Sequence, residues 1–150
     1  MKTRHIIVEI LPRLFWIIEV VTLILFSTII LDKSILFMIT GIAISISGIA
    51  LLILSFEALI RAIFSKELIT RGIYNKVRHP MYSSIYILLV GIGILFYDWK
   101  WFVILLAFVP IWYLIALSEE RQMSDLYPKE YPAYKKATGM FWPKIIKGKL

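Results

Sequence analysis

Cysteine is absent from the 150 residues of this chain, so disulfides, thiol nucleophiles, iron–sulfur clusters and thiolate zinc sites are excluded. Histidine is nearly absent: His5 and His79 cannot build a histidine metal site unless carboxylates complete it. Charge is scarce as well, at 18% of residues, against roughly a quarter in soluble proteins. Hydrophobic residues reach 60%, and the mean hydropathy is +0.82. Too few polar side chains remain to cover a water-facing surface. That balance argues against a soluble enzyme and against disorder, collagen or a coiled coil, and it leaves an integral membrane protein.

The apolar residues fall in four blocks. They predict an all-α membrane protein with four transmembrane helices over about 14–31, 35–60, 81–97 and 101–118, followed by a polar tail. The first block, Leu14 to Leu31, reaches about 27 Å at helical rise, just enough to cross the hydrocarbon. A basic stretch (Lys2, Arg4, Arg13) precedes it, but no small-x-small cleavage site follows, so it reads as a retained helix. After the turn Asp32-Lys33-Ser34, the second block meets no charge until Glu57 and Arg61. Its Gly41, Ser45 and Gly48 fall on nearly one face and suit close helix contact. Gly91 and Gly93 in the third block suit it too, and no strand precedes them, so they form no dinucleotide fingerprint. The link Asp98-Trp99-Lys100 is short enough to predict a tight antiparallel hairpin of the third and fourth helices, with Pro110 kinking the fourth.

Orientation follows from the net charge of +7 and its placement. All but Lys33 and Lys100 of the 17 basic residues lie on the side shared by both termini and the stretch Ser65 to Pro80. Basic residues mark the cytoplasmic side, so both termini are expected there in a multi-pass protein of the cell membrane. Contact with the bilayer then accounts for the basic excess, and no nucleic-acid partner is expected. The far-side turns are too short to host chemistry, which puts any site on the cytoplasmic side or within the bundle. A single membrane-embedded domain is expected over 1–150, with 1–64 a variable helical pair and 65–150 the core.

The cytoplasmic inventory holds the candidate site. Arg78-His79-Pro80 opens the third helix, where the positive end of the helix dipole suits a carboxylate ligand; snorkelling membrane anchors are the plainer reading. Glu119 and Glu120, expected directly after the fourth helix, would oppose its dipole unless a cation sat beside them. The hairpin would bring Arg78, His79 and Tyr82 to face this acidic pair, although a local ion pair with Arg121 or Arg78 also fits. Tyr127, Tyr131, Tyr134, Phe141 and Trp142 suit either an aromatic wall for a cationic ligand or an interfacial belt. Glu19 is an intramembrane carboxylate, expected either to be functional or to pair with Arg13 or Arg61; Glu57 is expected to do likewise with Arg61.

The run LITRGIYNKVRHPMY, the apolar hairpin, the Glu119-Glu120 pair and LYPKEYPAYKKATGMFWPK occur in an order that resembles the isoprenylcysteine carboxyl methyltransferase and phospholipid methyltransferase superfamily, closest to its prokaryotic integral-membrane members. The resemblance spans Leu68 to Lys144. It implies S-adenosylmethionine-dependent methyl transfer at the cytoplasmic face, onto an isoprenylcysteine-like carboxylate or a lipid that enters from the bilayer. Carried over by position, His79 and Tyr82 of the RHPxY match would line the cofactor site with Glu119 and Glu120, and Tyr131 would close over it. Arg78 would orient the acceptor or act in catalysis. A carboxylate acceptor would need no base, whereas an amine or thiol would give a proton to Glu120 or His79. Two departures bear on the acceptor: Ser84 stands where many members have glycine, and Arg121 shortens the acidic run. No metal is implied.

Three other classes share some of these features. A small proton-coupled transporter would use Glu19 but leave the RHPxY stretch and the tail without a task. A reductase related to membrane sterol reductases would need a nicotinamide cofactor, for which no phosphate-binding motif exists. A bare assembly protein would tolerate the loss of Glu119 and His79.

Overall fold

The computed structural model describes residues 2–26, 34–65 and 68–144, with side chains described over 14–26, 34–60 and 68–144. Among these residues the chain is all-helical: α1 (Lys2–Phe26), α2 (Ile35–Ser65), a single 3-10 turn (Gly72–Asn75), α3 (Pro80–Phe96), α4 (Trp99–Leu126) and the short α5 (Tyr131–Ala137). Segments Ile35–Ile60 and Trp99–Leu126 are long and apolar enough to cross a bilayer, whereas Leu14–Phe26 and Pro80–Phe96 are shorter apolar helices. Aliphatic side chains stand exposed all along α2, among them Leu36, Ile39, Ile46 and Ile53. A helix apolar on every face belongs in lipid or in a core.

The helices pair in a pattern that sequence spacing did not give. The broadest contact is α2 against α3, and the next is α1 against α4. Small residues explain the first. A Cβ at Gly48 would lie within 2.8 Å of the Leu88 Cα, and one at Gly41 within 2.9 Å of the Gly91 carbonyl oxygen. Only glycine lets the two backbones approach that closely. Gly93 instead makes room for Trp101 of α4. Two residues, Tyr97 and Asp98, join α3 to α4: Tyr97 takes a left-handed conformation at the end of α3, and Asp98 accepts a hydrogen bond from the Lys100 amide at 3.0 Å. Trp101 then donates to the Leu89 carbonyl at 2.7 Å, in a core formed by Leu23, Leu89, Trp101 and Leu105.

Two expectations on helix extent change, at the first and fourth helices, while the second helix covers its apolar block from Ile35 to Phe64 as expected. The first helix begins at Lys2, well before Leu14; residues 27–33, with the turn around Asp32, lie outside the described residues. The fourth is continuous through Pro110 and ends at Leu126, not Ser118. Glu119 and Glu120 therefore sit inside α4, well before its C-terminus, and the dipole argument for a nearby cation lapses. The cations are there for another reason, given below.

Candidate active site

The tail returns to the start of α3 and is stitched to it. The Arg78 amide donates to the Gly139 carbonyl at 2.9 Å, the His79 amide to Met140 at 3.0 Å, and the Gly139 amide to Lys76 at 3.1 Å. The Ser83 hydroxyl donates to the Phe141 carbonyl at 2.6 Å, and the Tyr134 hydroxyl to that of Tyr74 at 2.7 Å. Pro80 opens α3 where its missing N–H has no partner to lose, with His79 as the capping position. Three stretches far apart in sequence thus converge: residues 77–83, the end of α4, and α5 with the turn after it.

Arg78 and Glu120 form the centre. The Arg78 Nε lies 2.6 Å from Glu120 Oε1, and both side chains are at least nine-tenths buried. Its Nη1 donates to the carbonyls of Lys135 and Thr138, so one guanidinium serves a carboxylate and the α5 backbone together. Lys135 Nζ completes the shell at 2.7 Å from Glu120 Oε2. Glu120 thereby holds two cations.

Glu119, one position away, has a different shell. It accepts a hydrogen bond from the Tyr82 hydroxyl, lies 3.4 Å from His79 Nδ1, and keeps 30% of its side chain exposed. His79 bridges the pair: its Nε2 is 3.5 Å from Glu120 Oε1, close enough for attraction but not aligned as a hydrogen bond, so that this buried nitrogen has no acceptor among the described residues. Burial disfavours the charged imidazolium, but both carboxylates outweigh it and hold the His79 pKa above its ordinary value. The Tyr131 hydroxyl is pushed up to about 12, by burial first and then by the charge of Glu120. Rings line one side: His79 stacks on Tyr82 with centroids 5.6 Å apart, and Phe141 packs on His79 at 5.8 Å.

All six candidates (Arg78, His79, Tyr82, Glu119, Glu120 and Tyr131) thus gather in this region. Tyr131 is buried and packs edge-on against Tyr134. Trp142 is exposed, as a residue of an interfacial belt would be. Ser84 is fully buried with its hydroxyl returned to the Met81 carbonyl at 2.9 Å, so it costs the helix no unpaired group. Lys135 was missed, because a lysine in a basic, exposed tail carries no sign that it folds onto a carboxylate. Glu19 is fully buried and accepts from Trp112 Nε1 at 2.7 Å. The side chains of Arg13 and Arg61, its expected partners, lie outside the described residues. No group of three or more histidine, aspartate or glutamate side chains that could hold a metal occurs among the described residues.

The phospholipid methyltransferase family matches residues 33–130, nearly two-thirds of the chain. The protein belongs to that family, and through it to the isoprenylcysteine and phospholipid methyltransferase superfamily. The match begins at α2, which carried no motif, and stops just before α5. The chain is also similar to the nickel-cobalt-cadmium resistance protein NccN of Alcaligenes xylosoxydans xylosoxydans, at 33% identity over 82 residues. That stretch is 54% of this chain and only 38% of the relative's length. No solved structure matches. Family membership and the two long apolar helices make this a membrane protein of methyltransferase type.

Proposed function

We propose that this chain transfers a methyl group from S-adenosylmethionine to a lipophilic acceptor at the cytoplasmic face of a membrane, crossed four times with both termini on that face. The observation that carries the reading is the gathering of Arg78, His79, Tyr82, Glu119 and Glu120 at the junction of α3, α4 and α5 in a chain of this family. When bound, S-adenosylmethionine supplies a methyl group activated by the positive charge on its sulfur.

The donor set fits that group, and the geometry divides the labour. Glu120 is already neutralised by Arg78 and Lys135, so it acts as the hub that joins α4 to α3 and α5. Among the described residues Glu119 has no lysine or arginine on it, and it keeps part of its side chain accessible, so it is the carboxylate that takes the cofactor's ammonium. The unsatisfied Nε2 of His79 donates to a ligand carboxylate. The stacked rings of His79 and Tyr82 exclude water, which favours a displacement in which charge disappears. Alignment and desolvation supply the catalysis, and Arg78 keeps the walls in register.

Calorimetry with S-adenosylmethionine and S-adenosylhomocysteine on the purified protein in detergent tests this. The wild type should bind both, and Glu119→Ala should weaken binding about 10- to 100-fold, the value of a hydrogen bond to a charged group, with its melting temperature nearly unchanged. A folded wild type that binds neither ligand overturns the reading.

A further inference from the structure

Two stretches that meet beside the candidate site carry more positive charge than the site consumes. Residues 68–79 and 131–144 together hold six lysines and arginines and no aspartate or glutamate. Backbone bonds set them side by side: the Arg78 and His79 amides donate to Gly139 and Met140, and the Gly139 amide donates to Lys76. Glu120 takes two of the six cations, Arg78 and Lys135. The other four, Arg71, Lys76, Lys136 and Lys144, are exposed, and none of them meets a carboxylate among the described residues. Lys144 Nζ lies 2.7 Å from the Lys136 carbonyl, which seats its charge on the end of α5. Trp142 belongs to the same turn and is 69% exposed, while its neighbour Phe141 faces inward and packs on His79 at 5.8 Å.

Like charges gathered by folding repel, and salt weakens that repulsion without removing it. The bonds at Arg78 and Gly139 therefore hold together two segments that their own charge pushes apart. An anionic surface relieves the strain. Lysines and an arginine beside an exposed tryptophan suit one at headgroup depth, where the ring lies among the headgroups and the cations meet phosphate. The cluster also stands where such a surface would be, at the start of the apolar helix α3. We infer that Arg71, Lys76, Lys136, Lys144 and Trp142 form a docking surface for anionic lipid headgroups of the same membrane, and that lipid held there keeps the tail closed on the methyltransferase site. The docking stands on its own; its effect on the site rests on the methyltransferase reading. Adjacent side chains make the link: Trp142 turns to the bilayer, Phe141 to His79, and the Ser83 hydroxyl fixes the Phe141 carbonyl at 2.6 Å. A ligand that prefers the closed arrangement shifts the balance toward it, so anionic lipid and cofactor strengthen each other's binding.

The full-length protein in neutral detergent micelles tests the docking without any methyl donor. Lysophosphatidylglycerol is titrated in, with zwitterionic lysophosphatidylcholine as the control, and hydrogen exchange of the amides in 135–144 is followed. Each basic residue at an anionic lipid surface is worth about fivefold. The wild type should reach half-protection at a concentration of the anionic lipid at least about tenfold below that of the control, and sodium chloride should narrow the gap. The double variant Lys136→Gln/Lys144→Gln should move the anionic midpoint up by about tenfold or more, whereas Lys129→Gln, outside both stretches, should leave it in place. Equal midpoints for the two lipids in the wild type overturn the inference, and that comparison needs no variant to fold. Equal protection by inorganic phosphate would assign the surface to a soluble anion and overturn the lipid as its occupant. Calorimetry then reads the link to the site: wild-type affinity for S-adenosylhomocysteine should rise about fivefold with the anionic lipid and not with the control. Equal affinity in both lipids overturns the link. Absence of binding in both is the failure of the parent reading, and the docking result stands apart from it.

Discussion

Glu120 and Glu19 are both buried carboxylates in one helical bundle, yet they are held by different kinds of partner. Glu120 has Arg78 at 2.6 Å and Lys135 at 2.7 Å, with the Arg78 fork also gripping the α5 backbone. Glu19 has the Trp112 indole N–H at 2.7 Å, with the Tyr86 hydroxyl close by. The first centre is charge-balanced from within the chain and locks three segments together. The second is held by a neutral donor, with no lysine or arginine on it among the described residues. A buried ion pair is costly to break from one side, because the charge left behind is uncompensated, whereas a carboxylate held by neutral donors inside a membrane protein is by default a candidate for function.

The sharpest way to break this contrast is to remove the counter-ion from the balanced centre. Arg78→Ala leaves Glu120 buried and also frees the carbonyls of Lys135 in α5 and of Thr138 just after it. It should lower stability in detergent by about 3–5 kcal/mol, seen as a large drop in melting temperature together with loss of S-adenosylhomocysteine binding. A variant that melts like the wild type would mean that Glu120 is solvated and the hub is not one.

A smaller effect is expected at the other centre. Trp112→Phe keeps the aromatic bulk but removes the indole N–H that donates to Glu19 Oε2 at 2.7 Å. The loss should be about 1–3 kcal/mol, the penalty for a buried acceptor left unpaired. Combining it with Glu19→Leu, which removes the acceptor too, should recover part of that loss. Strict additivity of the two would show that the 2.7 Å contact carries no coupling.

Acidity gives the smallest and most diagnostic difference. The folded pKa of His79 is raised, burial being outweighed by Glu119 and Glu120. Its stabilising contribution is therefore complete below the unfolded value of about 6.5 and is lost as pH rises through the higher folded value. Melting temperature followed upward from pH 6 should fall across that window in the wild type. The fall should be flattened in His79→Gln and kept in Glu19→Gln. An unchanged slope in His79→Gln would assign the titration elsewhere.

The sequence carried the chemistry of the balanced centre better than its mechanics. RHPxY and the acidic pair were readable because each breaks a local rule: a basic doublet before proline, and two carboxylates against an apolar helix. A meeting of the two was expected from the short link at Asp98, and Arg78 does lie against Glu120. That Glu119 and Glu120 lie within α4 was not, since the polar residues from Arg121 to Asp125 hide a helix that continues out of its apolar stretch. Nor was the pairing of α2 with α3. Small residues at 41, 45, 48, 91 and 93 mark a face for close contact but do not name its partner. The Trp112 to Glu19 bond joins residues 93 apart, and periodicity along one helix says nothing about which other helix completes it.

Arg78 has one more implication. Because a single guanidinium holds Glu120 and the carbonyls of Lys135 and Thr138, the position of the tail and the charge balance of the hub are one variable and not two. Lifting α5 withdraws Lys135 from Glu120 and strips Arg78 of its carbonyls in the same movement. The tail is thus a built-in gauge of the site: whatever reports on residues 131–139, whether a protease that cuts after Lys135 or a label placed there, also reports on the electrostatic state of a carboxylate that water hardly reaches.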